Sequence, residues 1–124
     1  MKINAIKIDV FKRKIYRVSL SDSLNSVKSQ LQCEFFTAIY PNLSGDNLIY
    51  LDDEGLINGV PKGAFSIIGY YGVFAGNGLV VGYNSEGNTL DCTSTLLEIQ
   101  SRIQFEPIES LPTPSFQIIK QSIS

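Results

Sequence analysis

The sequence predicts an α+β domain: a mostly antiparallel, twisted sheet of about five to six strands, two helices packed on one face, and an extended proline-bearing C-terminal tail. Three observations carry this. Segments with apolar residues at alternate positions open the chain and fill its middle, and two others carry them at helical spacing behind a capping residue. Pro107, Pro112 and Pro114 break the final stretch. At 124 residues, 44% apolar and 18% charged, the chain suits one core and is too short for two. We place a single domain at 1–105 and an arm at 106–124.

The opening INAIKIDV sets Ile6, Ile8 and Val10 on one side and Lys7 and Asp9 on the other, and IYRVSL repeats the alternation through Ile15 or Tyr16, Val18 and Leu20. FKRK between them makes an antiparallel hairpin with a basic, solvent-exposed tip at Lys12, Arg13 and Lys14. Ser21 or Asp22 caps a helix over about 23–32, in which Leu24, Val27 and Leu31 form one apolar stripe. EFFTAIY and LIYLD read as strands separated by a turn at Pro41 and Ser44–Asn47, and Asp52, Asp53, Glu54 and Gly55 as a tight acidic turn. FSIIGYYGVF and GLVVGY are apolar runs, with Asn77 and Gly78 suited to a hairpin turn between them. Gly69, Gly72 and Gly82 mark bulges or close backbone approaches. Thr95 three residues before Glu98 fits a capping box, followed by Leu96, Ile99 and Ile103 on one side. SFQIIK offers a further edge strand.

Composition excludes several functions. With no histidine, and with Cys33 and Cys92 far apart, zinc sets and histidine-based nucleophile systems have no residues to use. The cysteines read as buried thiols, with a single long-range disulfide as the alternative. No apolar run approaches the roughly 18 residues of a membrane helix, and Met1 precedes an alternating segment rather than a signal-peptide core, so the expected location is cytoplasmic and no membrane contact is expected. Asp52, Asp53 and Glu54 lack the alternate oxygen ligands of a calcium loop, and GVFAGNG matches neither GxGxxG nor GxxxxGK[ST]. We therefore expect no catalytic residues, no metal and no cofactor.

Charge distribution is more informative. Residues 1–30 hold seven basic and two acidic side chains, and the remainder three basic and ten acidic. One candidate contact surface is the basic hairpin of Lys12, Arg13, Lys14 and Arg17, because cations neutralise phosphates or acidic proteins. A second is either the acidic turn of Asp52, Asp53 and Glu54 or an aromatic surface at Tyr70 and Tyr71. These adjacent tyrosines point to opposite strand faces, so one reaches the surface or a homodimer interface. A basic hairpin lying beside acidic loops would also be neutralised within the fold.

The segment LIYLDDEGLINGVPKGAFSIIGYYGVFAGNG resembles a small domain-of-unknown-function family carried by phages and plasmids. Glu54, Gly55, Gly59, Pro61, Ile67, Ile68 and Gly69 carry the likeness, which covers roughly 1–105. The resemblance implies a mobile-element setting and a small α+β fold, and transfers no catalytic residue. The expected function is thus a non-catalytic accessory protein that binds a host protein or complex, for instance to blunt a defence system. A nucleic-acid-binding regulator using the basic hairpin is the alternative, and a small-molecule binder with a pocket between helix and sheet the third.

Overall fold

The computed structural model describes residues 2–53 and 63–111. Strands β1 (Lys2–Asp9) and β2 (Lys14–Ser21) form the expected hairpin, with Lys2 opposite Ser21 and Asp9 opposite Lys14. Helix α1 (Leu24–Leu31) is capped by Ser23 and not by Ser21 or Asp22 as expected, because it is the Ser23 hydroxyl, three residues before Ser26, that accepts the Ser26 N–H; the helix ends at Gln32 in the left-handed conformation. β3 (Phe36–Ile39) and β4 (Asn47–Asp52) pair antiparallel, and β5 (Ala64–Ile67), β6 (Tyr70–Ala75), β7 (Gly78–Tyr83) and the two-residue β8 (Thr89–Leu90) follow. Helix α2 (Leu96–Arg102) is capped by Thr95, whose side chain accepts the Glu98 N–H as the sequence predicts. β9 (Ile103–Glu106) and a 3₁₀ turn at Ile108–Ser110 close the described chain. The expected SFQIIK edge strand lies outside the described residues.

The strands form two sheets instead of the single one expected from the sequence. Six strands run in the order β2-β1-β7-β4-β3, with β8 also on β7, and three more in the order β6-β5-β9. The turn expected at Asn77–Gly78 is not a hairpin turn, because β6 pairs with β5 while β7 pairs with β1, β4 and β8. The chain leaves one sheet for the other at Gly76, where φ is +88°, a conformation glycine adopts at little cost. FSIIGYYGVF likewise divides into β5 and β6 around Gly69. Gly82 does mark a close approach: a Cβ there would sit 2.3 Å from the Asp91 carbonyl oxygen.

Alternation along β1 and β7 separates two cores. Ile3, Ala5, Leu79 and Val81 face α1 through Val27 and Leu31. Ile6, Ile8, Val10 and Val80 face Phe65, Ile67 and Ile103 of the smaller sheet and Ile99 of α2. The two helices thus join different clusters on opposite faces of the large sheet, where the sequence reading placed both on one face. The physical reason is β7: buried from Gly78 through Gly82, it is covered on both sides and so shows a continuous apolar run. Asp9, expected on the polar side of β1, is also buried. Among the described residues, every buried side-chain nitrogen and oxygen has a hydrogen-bond partner, and no helix is long and apolar enough to cross a membrane.

Candidate binding site at the basic hairpin

The hairpin tip is built around a buried carboxylate. Asp9 accepts the Lys12 backbone N–H at 3.0 Å and the Tyr16 hydroxyl at 3.1 Å, while the neighbouring Val10 N–H donates to the Asn77 side-chain oxygen at 3.0 Å. Burial works to raise the Asp9 pKa, but the Lys12 N–H, the Tyr16 hydroxyl and the charges of Lys7 and Lys12 together outweigh it and hold the carboxyl below its ordinary value. Burial, with Asp9 beside it, keeps the Tyr16 phenol protonated above its usual range. These bonds fix a turn whose outer residues Phe11, Lys12, Arg13 and Lys14 are all exposed.

Arg13 occupies the left-handed region with φ +55°, a conformation disfavoured for any residue with a Cβ. Its guanidinium lies 5.6 Å from the centroid of the Phe105 ring on β9, in cation–π range, and a guanidinium nitrogen stands 3.5 Å from the Phe105 carbonyl oxygen. The Gln100 side chain of α2 donates to the Ile15 carbonyl over 3.4 Å. An open groove of about 370 Å³ lies here, lined by Arg13, Lys14, Ile15, Tyr16, Gln100 and Phe105. Hairpin, α2 and β9 therefore converge on one concave surface. Sequence reasoning found its cations but missed Gln100 and Phe105, since both are remote in sequence and β9 falls across the boundary assigned to the arm.

Arg17 is exposed and sits one strand position further along the same face as Ile15, opposite Ile6. The acidic candidates lie elsewhere. Asp52 is the half-buried last residue of β4, Asp53 is exposed just beyond it, and Glu54 falls outside the described residues. Gly78 pairs with both Ile8 and Leu51, so the basic tip and Asp53 emerge at the same end of the large sheet with β7 between their strands. Tyr70 packs on Phe74 with ring centroids 6.1 Å apart, whereas Tyr71 is 98% exposed. The tyrosines thus divide between core and surface as the strand alternation predicts, and the acidic and aromatic candidates belong to different strands. Among the described residues no group of three or more cysteines and carboxylates is placed to hold a metal ion.

Residues 1–105 match the family described as Domain of unknown function (DUF3846), and the chain belongs to that family. No curated protein and no solved structure matches it.

Proposed function

We propose that this chain is a non-catalytic accessory protein that works by binding a macromolecule of the host in which it is made, with the β1–β2 tip as its contact surface. One observation carries the reading: Lys12, Arg13 and Lys14 stand exposed together on a turn clamped from inside by Asp9, beside an open groove. A fixed array of cations attracts an anionic surface and orients it without the entropy cost of ordering a mobile loop. The phage or plasmid setting rests on the family resemblance, and blunting a defence system is the outcome expected where the bound macromolecule belongs to one.

The test is recovery of the tagged protein from host extract, with and without nuclease, beside a Lys12→Glu, Arg13→Glu, Lys14→Glu variant. A partner held by the natural sequence and lost by the variant supports the reading. Equal recovery by both refutes the tip as the contact surface.

A further inference from the structure

We infer that the groove beside the hairpin tip binds single-stranded nucleic acid, with one nucleotide seated against Arg13, Gln100 and Phe105 and its flanking phosphates on Lys12 and Lys14. This deepens the reading of the tip as the working surface by naming the class of partner. Four features converge. Cations at the groove mouth match a phosphate backbone. The planar Arg13 guanidinium, lying over Phe105, offers a charged stacking surface of the kind on which unpaired bases settle. The exposed Gln100 amide provides donor and acceptor groups for a base edge, and its present 3.4 Å bond to Ile15 is long enough to exchange readily. Finally, about 370 Å³ lies near the lower end of the ~300–1,000 Å³ typical of small-ligand sites, which suits one nucleotide unit and not a duplex.

An acidic protein surface would engage the same cations but make no use of the stacked Arg13–Phe105 pair or of the exposed Gln100 amide, and a duplex would reach the tip alone. The backbone at Arg13 also points to the side chain's purpose. Glycine would satisfy φ +55° without steric cost, yet the position carries a guanidinium placed over a ring.

The experiment is fluorescence anisotropy of the full chain with a labelled oligothymidylate of roughly 12 nucleotides at low salt, with unlabelled single strand, duplex and polyglutamate as competitors. The variants are Arg13→Gly, Lys14→Glu and Phe105→Leu. Arg13→Gly suits the local backbone, so it reports binding even if Phe105→Leu loosens β9, and melting temperatures identify any variant that is misfolded. We expect the natural chain to bind the single strand, and each folded variant to bind about tenfold more weakly, the size of a single stacking or charged contact. Duplex and polyglutamate should compete about tenfold less well than the unlabelled single strand. Absence of oligonucleotide binding, unchanged affinity in Arg13→Gly, or equal competition by polyglutamate overturns the inference. If a nuclease-resistant host protein is nevertheless recovered and lost on charge reversal of the tip, the broader reading survives while this one falls.

Discussion

The carboxylate of Asp9 accepts the hydroxyl of Tyr16 at 3.1 Å across the β1–β2 ladder, beneath three exposed cations. The bond links the two strands just inside the turn, and the second Asp9 oxygen holds the Lys12 N–H. The basic tip is therefore a supported structure and not a frayed hairpin end.

Replacing Asp9 by alanine leaves the Lys12 N–H and the Tyr16 hydroxyl without their acceptor. We expect a loss of about 2 kcal/mol, the range for hydrogen bonds to a charged group, in urea unfolding. Tyr16→Phe removes one of the two bonds and should cost about 1 kcal/mol. Amide exchange at Lys12 should accelerate in Asp9→Ala and stay slow in Tyr16→Phe.

Acid should release the same clamp. Because the folded protein holds Asp9 below its ordinary value of 3.8, the carboxylate contributes stability that is fully present above that value and is lost as the pH falls through the lower, folded-state pKa. The urea midpoints of the natural chain and Asp9→Asn should therefore differ most well above the ordinary value of 3.8 and draw together as the pH falls below it. A gap unchanged across that range would assign the stabilisation to shape instead of charge.

Asn47 is a second buried polar anchor, at the start of β4. Its side-chain nitrogen donates to the Ser44 carbonyl at 2.7 Å, Thr93 Oγ1 at 2.9 Å and Ser94 Oγ at 3.0 Å, and its oxygen accepts the Thr93 N–H at 2.9 Å. Asn47→Ala removes these bonds to Ser44, Thr93 and the buried Ser94 and should cost about 3 kcal/mol, measured by chemical denaturation. Asn47→Asp keeps the acceptor but loses the donors, so it should be no milder.

Local patterns in the sequence fix the elements they concern: alternation gives β1 and β2, apolar spacing gives α1 although its cap is Ser23 and not Ser21 or Asp22, Thr95 caps α2, and FKRK marks the exposed turn. The pairing of distant strands leaves no such mark. Nothing in GVFAGNG reveals that β6 and β7 enter different sheets, because the same glycines serve a hairpin or a change of sheet. Ile103–Glu106 is hidden by Pro107, which ends β9 but does not prevent it from pairing with β5. The site divides similarly. Its cations are contiguous and legible, whereas Gln100 and Phe105 join them through tertiary packing. Asp9 reads as a polar-face residue until its bonds to the Lys12 N–H and the Tyr16 hydroxyl show it folded into the turn.

The most direct measurement is the recovery of partners from host extract by the natural chain and by the Lys12→Glu, Arg13→Glu, Lys14→Glu variant, each before and after nuclease. The account predicts a partner retained by the natural chain and lost by the variant, with nuclease sensitivity marking nucleic acid. A partner held equally well by both chains would contradict it and move the working surface away from the hairpin.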